Sequence, residues 1–420
     1  MDTTIMKVFR QVFDRDLVLD AARRVGALQR LRAVHPADFL LAVGSCALGD
    51  EERSIATARR EFSRLSGFMP EESSFYERFS QGMANLSFHL FLCTLAQANR
   101  VQRQAIAKAL GLPVRDVRVV DSTQVTLPKS AEPLFPSTNR GYGGIKLTAT
   151  LSVLQDLICS AHITDARRHD RTVLVLPDDL RGILWLMDRG YADHRLLGQI
   201  EDEGGLFLVR LRKASMPKVQ KIRSGLAKAH RGKQLTEALP LHGIVDVDAS
   251  FGIGRWRKRT FRAVAVPRVI EKQGQRELDY VFLATNLPPS ISAETIARLY
   301  RLRWCIETLF HVLKAVGRFD HLKTASPFVI DVFVTTTLLM LALAQSIAAL
   351  MRAVQPHADP SVHRILALLI GHLRSLAMLH SFMAGRLLEP TFAQALWREG
   401  LNPNPGRPYA YARHAVLDEK

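Results

Sequence analysis

The stretch IARLYRLRWCIETLFHVLK, residues Ile296–Lys314, organises the whole sequence. It contains no Pro or Gly and many good helix formers, so it predicts one continuous helix. At about 100° per residue its apolar side chains form one stripe, and a second stripe beside it carries Tyr300, Arg303, Glu307 and Lys314. The helix is therefore predicted to bury one face and to present a carboxylate, two cations and a phenol on the neighbouring face.

The chain carries a large excess of positive charge. Lys and Arg outnumber Asp and Glu by 57 to 40, which gives a formal net charge of +17 in 420 residues. Such an excess is typical of proteins whose partner carries many phosphates, such as DNA, although an anionic membrane or a ribosome would also fit the charge. A chain of 420 residues exceeds one ordinary core, so two or three domains are expected.

The cysteines and the first residues indicate a cytoplasmic protein. Cys46, Cys93, Cys159 and Cys305 are widely scattered and form no Cys-x-x-Cys pair. They predict a reduced setting with neither a zinc module nor a disulfide framework. Residues 1–16 interleave charges with apolar side chains and so lack the apolar core of a signal peptide.

One apolar stretch is long enough to cross a membrane. Val332–Met351 has no formal charge, but it contains three threonines, Gln345 and Ser346, and it directly follows Asp331. We interpret it as a buried helix of a large core, and we expect no membrane partner.

Residues 1–112 are predicted to form a helical N-terminal region. Apolar side chains recur at spacings of three and four, and Gly or Pro separates the segments. The frequent basic residues fit DNA binding, but solvated helix faces have the same composition, so both interpretations stay open. The predicted helices are Leu17–Val34, Ala37–Leu48, Ser54–Leu65, Glu72–Ala98 and Val101–Leu110.

Residues 113–212 change from helical to strand-like patterns. A β-branched run from Val117 ends in Asp121, and Gly143–Ala166 predicts two strands joined by a turn. The pattern then predicts a helical link, a strand that ends in Asp188, a helix and a further strand, at Asp170–Leu180, Gly182–Met187, Ala192–Glu203 and Leu206–Arg212. This succession predicts a mixed sheet covered by helices, with Asp121 and Asp188 at strand ends, where open α/β sheets keep their sites. A lone strand-end Asp more often caps a turn.

Residues 213–286 are predicted to form a basic, β-rich insertion. Its first part, 213–233, suits an extended segment that lies on a polyanion, and three antiparallel strands follow at Ile244–Asp248, Arg259–Val269 and Tyr280–Thr285. Residues 287–350 return to the sheet domain with the helix quoted above. Residues 351–420 form a predicted helical C-terminal region with a possible role in dimerisation.

Three acids stand out by position, namely Asp121, Asp188 and Glu307. So few carboxylates can hold two divalent cations because Mg²⁺ keeps waters and takes phosphate oxygens as its other ligands. Basic residues around Glu307 would neutralise the phosphates beside a scissile bond. They are Arg301, Arg303, Lys314, Arg318 and Lys323.

The segment YRLRWCIETLFHVLK resembles a bacterial transposase signature. Tyr300, Arg303, Glu307 and Lys314 stand at gaps of two, three and six, as in the DDE-type transposases of the insertion-sequence four family. DST at Asp121 and DRGY at Asp188 resemble the two Asp motifs of that family. The resemblance covers about residues 114–350 and includes the position of the basic insertion.

The resemblance implies an α/β, RNase H-like fold in which Asp121, Asp188 and Glu307 bind two Mg²⁺ ions, with Mn²⁺ as a substitute. It also implies that Tyr300, Arg303 and Lys314 contact phosphates at the transposon ends. Some members stack a flipped base on a Trp of the insertion, and base stacking is worth about 1 to 3 kcal/mol. The corresponding residues here are Trp256 with its neighbours Arg255 and Arg257, although Trp256 could equally pack between strands.

The function implied is cleavage of DNA at inverted repeats, in some members through hairpin ends, and transfer of the freed 3′ hydroxyl to target DNA. We expect a homodimer, so that two ends are held together. A domesticated nuclease without strand transfer is an alternative in the same fold. A non-catalytic DNA-binding protein is a second alternative, which the presence of all three acids disfavours.

Overall fold

The computed structural model describes residues 12–30, 33–46, 53–98, 114–212, 215, 217–239, 243–250, 259–272, 275–317, 322–355, 357–373 and 390–403. The N-terminal helices are α1 Arg15–Arg24, α2 Pro36–Ser45, α3 Ile55–Ser66, α4 Glu72–Tyr76 and α5 Gln81–Ala98. A central α/β part follows, with β1 Asp116–Leu127, β2 Gly143–Ser152, β3 Leu157–Asp165, α6 Asp170–Val173, β4 Ile183–Met187, α7 His194–Asp202 and β5 Leu206–Arg210.

The second half completes the sheet and then becomes helical. The strands are β6 Lys218–Ser224, β7 Val245–Ser250, β8 Thr260–Lys272 and β9 Gln275–Thr285. The helices are α8 Ala293–Arg301, α9 Trp304–Ala315, α10 Pro327–Val354, α11 Val362–Leu373 and α12 Pro390–Glu399.

All nine strands belong to one mixed sheet, in the order β3-β2-β1-β4-β5-β9-β8-β7-β6. β1, β4 and β5 run parallel, whereas β2 and β3 add antiparallel partners beside β1. The order of the first five strands is consistent with the predicted RNase H-like arrangement. β1 and β4 are adjacent and parallel, and they bring Asp121 and Asp188 to the same edge of the sheet.

The predicted strands of the insertion form, but they extend the central sheet. β9 pairs with β5 through Leu208 and Thr285, and β8, β7 and β6 follow outward. Part of the basic segment predicted as extended is the edge strand β6, with Lys218, Lys221 and Arg223 on it. The domain boundaries predicted at residues 112, 212, 286 and 350 stay predictions.

The apolar stretch around Val332–Met351 is a buried core helix, as predicted. α10 is the one helix in the described ranges that is long and apolar enough to span a membrane. Of its most apolar 18 residues, 83% are buried inside the protein. It packs against α5 and α11, and its buried side chains share one hydrophobic cluster with β1, β2 and α9. α9, which carries Glu307, therefore shares its core with this buried helix.

Three of the helices predicted before β4 are wrong in extent. The helix predicted at Leu17–Val34 ends at Arg24, because Gly26 adopts a left-handed φ of 72° that stops an α-helix. Glu72–Ala98 is interrupted after Tyr76, so that α4 and α5 are separate. The helical link predicted at Asp170–Leu180 ends at Val173, because Pro177 disfavours helical backbone before it and Leu174 is already extended. The predicted helix Val101–Leu110 lies outside the described residues.

Candidate active site

Asp121 lies within β1, not at its end as predicted. β1 continues to Leu127 through its pairing with β2, but its parallel pairing with β4 stops at Val120 and Met187. Asp121 is therefore the first residue of β1 with an open side toward β4. Its Oδ1 accepts a hydrogen bond from the amide of Ser122 at 2.8 Å, which fixes the orientation of the carboxylate.

Asp188 directly follows Met187 at the end of β4 and begins a short 3-10 turn, Arg189–Tyr191. Its Oδ1 accepts a hydrogen bond from the hydroxyl of Tyr300 at 3.4 Å. Burial and the negative charge of Asp188 raise the pKa of Tyr300, so the phenol stays protonated and remains a donor. Tyr300 thus orients an acid in this structure, in addition to the phosphate contact implied by the resemblance.

The single helix predicted from Ile296 to Lys314 is wrong, because a turn separates α8 from α9. Leu302 and Arg303 form a turn in which the Leu302 amide bonds to the Leu299 carbonyl and the Arg303 amide to that of Tyr300. These three-residue spacings tighten the backbone relative to an α-helix. Glu307 lies in the first turn of α9, which packs on β1 and β2. The turn places Arg303 between Glu307 and Asp121 of β1.

Arg303 bridges two of the three predicted acids. Its Nη1 donates to Asp121 Oδ2 at 2.9 Å, and its Nη2 donates to Oε1 of Glu307. The guanidinium side chain is only 11% exposed. Burial disfavours its charge, but the hydrogen bond to Glu307 and the nearby carboxylates outweigh this effect and raise the pKa of Arg303. The residue predicted to contact phosphate is here the counter-ion of the acids.

The three acids act on one another electrostatically. The pKa of Asp121 is raised to about 6, chiefly because burial disfavours the charged form, and the charges of Asp188 and Glu307 add to this effect. The amide of Ser122 and the charge of Arg303 work in the opposite direction. The raised pKa thus comes mainly from burial, and the repulsion among the three acids that adds to it would be relieved by a bound cation.

The donor set fits hard divalent cations, because it consists of carboxylate oxygens around a site that already attracts one positive group. Arg303 takes the place of a cation between Asp121 and Glu307. No group of three or more Asp, Glu, His or Cys side chains forms a compact metal cluster anywhere in the described parts of the chain. The assignment of Asp121, Asp188 and Glu307 as metal ligands stays a prediction, and it requires Arg303 to move.

The other predicted contact residues are placed less completely. Lys314 is partly exposed in the last turn of α9 and has no ion-pair or hydrogen-bond partner within the described ranges, so its charge is available to a phosphate. Trp256, Arg255 and Arg257 lie outside the described residues, and their predicted role stays a prediction. Trp304, which sequence reasoning did not single out, is 61% exposed and lies beside Arg303.

A fourth acid, Asp170, approaches the site from the opposite face of β1. Its Oδ1 accepts a hydrogen bond from the Ser122 hydroxyl at 3.0 Å and lies 2.9 Å from Nζ of Lys146. The sequence places Asp170 at the start of the short helix α6, and nothing in its local pattern indicates an approach to β1. The signal that could have found it is the polar Ser122 beside Asp121 in a strand that is otherwise largely buried.

Comparison with protein families matches residues 112–343, more than half of the chain, to the transposase DDE domain. The chain belongs to this family. The DDE domain includes β1 to β9, α8, α9 and the first part of α10, together with Asp121, Asp188 and Glu307. These acids occur in the order Asp, Asp, Glu that names the domain. The finer assignment to the group with the Tyr-Arg-Glu-Lys signature stays a prediction.

A relative from Geobacillus stearothermophilus carries the name probable transposase for insertion sequence element IS5377. It is 26% identical over 225 residues, which are 54% of this chain and 53% of the relative. The match thus spans about half the length of either protein. The similarity supports a DDE transposase that belongs to an insertion sequence.

Proposed function

We propose that the chain is a DNA transposase that cleaves the ends of an insertion sequence and transfers the 3′ hydroxyl ends to target DNA. The observation that carries the proposal is the meeting of three acids within a DDE domain. Arg303 bridges Asp121 and Glu307, and Asp188 lies near enough to Asp121 for its charge to raise the pKa of that carboxyl. These acids come from β1, β4 and α9, which are far apart in sequence. Neither the charge balance nor the fold alone would call for this arrangement.

The residues of the site have separate tasks in the proposed mechanism. Asp121, Asp188 and Glu307 would hold two Mg²⁺ ions, for which Mn²⁺ can substitute. Bound there, such ions would supply activation of the nucleophile and stabilisation of the leaving oxygen. The Ser122 amide and the Tyr300 hydroxyl hold Asp121 and Asp188 in fixed orientations.

The cations of the site would bind the DNA backbone. Arg303 would leave the carboxylates for a phosphate beside the scissile bond, and Lys314, which has no partner among the described residues, would neutralise another. The net charge of +17 supports binding of double-stranded DNA at the element ends and at the target. A homodimer in the cytoplasm would hold two ends together.

The proposal is tested with a supercoiled plasmid that carries the gene and its native flanking DNA. Purified protein with Mg²⁺ should release the segment, and EDTA should prevent release. Asp188→Ala and Glu307→Gln should reduce cleavage by about a thousandfold or more while DNA binding stays within about threefold, because these acids act mainly in the transition state. Glu294→Gln, an exposed change on α8, is the matched control and should cleave normally.

Two outcomes would contradict the proposal. Cleavage that persists in both acid variants would exclude these residues from catalysis. If both variants lose DNA binding but still cleave the DNA that they do bind at the native rate, the two acids would be DNA contacts instead of catalytic residues. Cleavage without strand transfer, together with flanking DNA that lacks inverted repeats, would favour the nuclease alternative.

A further inference from the structure

Asp170, Lys146 and Ser122 form a polar cluster beneath the active-site segment of β1. Lys146, on β2, is 6% exposed and donates to the carbonyl of Arg168 at 2.6 Å as well as pairing with Asp170. Such a buried ammonium needs an anionic partner, because isolation of the charge would carry a large desolvation cost. Asp170 is thereby fixed in one position, and its carboxylate holds the hydroxyl of Ser122.

This cluster supports β1 at the point where the strand loses its neighbour. Parallel pairing with β4 ends at Val120 and Met187, so from Asp121 onward the sheet holds β1 through β2 alone. Side chains alternate along a strand, and Ser122 therefore points to the face opposite that of Asp121. On that face the Ser122 hydroxyl donates a hydrogen bond to Asp170, while the Ser122 amide donates one to the carboxylate of Asp121.

The turn after Asp188 gives independent support for the closeness of Asp170 to the site. The helix α6, which begins at Asp170, packs against the turn Arg189–Tyr191. Oδ2 of Asp170 lies 3.7 Å from the position that a Cβ on Gly190 would occupy. Asp170 therefore lies beside the turn that follows Asp188 as well as beside the segment of β1 that carries Asp121.

We propose that Asp170 is a positioning residue of the active site, which acts with Lys146 through Ser122 to hold the Asp121 carboxylate in place for metal binding. The inference rests on the proposed function, since it assigns a support to the first acid of that site. Hydrogen-bond partners of metal ligands commonly change metal affinity or activity by about 10- to 100-fold when they are removed.

The test compares Ser122→Ala, Asp170→Asn and the conservative Ser122→Thr with Asp121→Asn and the native protein. Thr126→Ala is the matched control, because Thr126 lies on the same strand and face but is exposed. Two quantities are measured, the rate of plasmid cleavage at saturating protein and the affinity for Mn²⁺ by electron paramagnetic resonance in the presence of a duplex from the flanking DNA. Thermal unfolding shows whether each variant folds.

Ser122→Ala and Asp170→Asn should each lower the cleavage rate and the Mn²⁺ affinity by about tenfold or more, with DNA binding unchanged. Ser122→Thr keeps the hydroxyl, so its cleavage rate and its Mn²⁺ affinity should both stay within about threefold of the native values. If Ser122 served only to fill space, the hydroxyl itself would not matter to these two quantities. Asp170→Asn keeps the size of the side chain and an acceptor for Lys146. If it nevertheless fails to fold, the two Ser122 variants decide the question.

The inference falls if folded Ser122→Ala retains native cleavage and Mn²⁺ affinity while Asp121→Asn is inactive, and in that case the proposed function stands. It also falls if Ser122→Thr is as impaired as Ser122→Ala. If Asp121→Asn itself cleaves and binds Mn²⁺ normally, the proposed function fails at its first acid.

Discussion

Arg303 Nη1 lies 2.9 Å from Oδ2 of Asp121, although the two residues are 182 positions apart in sequence. The same guanidinium also binds Glu307, so one cation from the turn between α8 and α9 joins β1 to α9. This ion pair gives Arg303 two competing partners, the acids before DNA binds and a phosphate afterwards.

Arg303→Ala should raise the affinity of the DNA-free protein for Mn²⁺ by about tenfold or more, because a charged hydrogen-bond donor no longer occupies Asp121 and Glu307. It should also weaken DNA binding. Electron paramagnetic resonance of Mn²⁺ without DNA measures the first effect and filter binding the second. Arg301→Ala, an exposed neighbour, serves as the control for Mn²⁺ affinity alone. Unchanged Mn²⁺ affinity in Arg303→Ala would show that the guanidinium does not compete with metal.

Asp121→Asn should stabilise the metal-free protein above about pH 6. The pKa of Asp121 is raised to about 6 in the folded state from an ordinary value of 3.8. Ionised Asp121 therefore lowers the free energy of unfolding. This loss grows as the pH rises from 3.8 to about 6 and is fully present above that pH. The free energy of unfolding should rise by about 1 to 3 kcal/mol near pH 8 and by less near pH 5.

Urea unfolding in EDTA at the two pH values measures this difference. Asp178→Asn, at an exposed position, is the control and should change neither value. A larger gain near pH 5 than near pH 8 would reverse the sign and contradict the raised pKa.

Lys314→Ala should weaken binding to the flanking-DNA duplex and lower the slope of log affinity against log salt concentration by about 1, because one phosphate contact is lost. Fluorescence anisotropy at several salt concentrations gives the slope. Arg398→Ala removes a charge from an exposed position of α12 and should leave the slope unchanged. An equal change in both variants would indicate a general charge effect.

Arg53→Met should destabilise the protein by about 2 kcal/mol or more. Arg53 is 2% exposed and donates to the carbonyl of Gly317 at 2.8 Å and to the hydroxyl of Thr337. The variant would leave these buried acceptors without their donor, whereas the methionine would still fill the space. Thermal unfolding measures the loss, and exposed Arg60→Met in α3 is the control. Similar midpoints for the two variants would show that Arg53 does not join the N-terminal region to α9 and α10.

Trp256→Ala should impair hairpin formation more than the first nick if the side chain stacks a flipped base, since stacking acts only once the base has left the duplex. Denaturing gels of the end-labelled flanking DNA separate the two products. Trp304→Ala provides the comparison, because Trp304 is exposed. Trp185 would not serve, because it is fully buried in the core. Equal effects of Trp256→Ala on both products would favour packing between strands.

Much of the fold followed from local patterns. Short apolar and β-branched runs predicted β2 to β5 within a few residues, whereas β1 continues past its predicted end at Asp121 to Leu127. The uncharged stretch in α10 predicted a buried helix. The order of Asp121, Asp188 and Glu307 predicted the family to which the chain belongs. Helix breaks were less predictable, because the turn at Leu302 and Arg303 contains no Gly or Pro that would mark it.

The sequence by itself determined which residues could form strands and core helices, since periodicity and side-chain volume act over neighbouring positions. Only the tertiary structure decided that the insertion strands extend the central sheet, that Arg303 turns inward to pair with Asp121 and Glu307, and that Asp170 reaches β1 from the other face. Ion pairs depend on which elements meet in space, and burial gives them their strength. No local pattern carries that information.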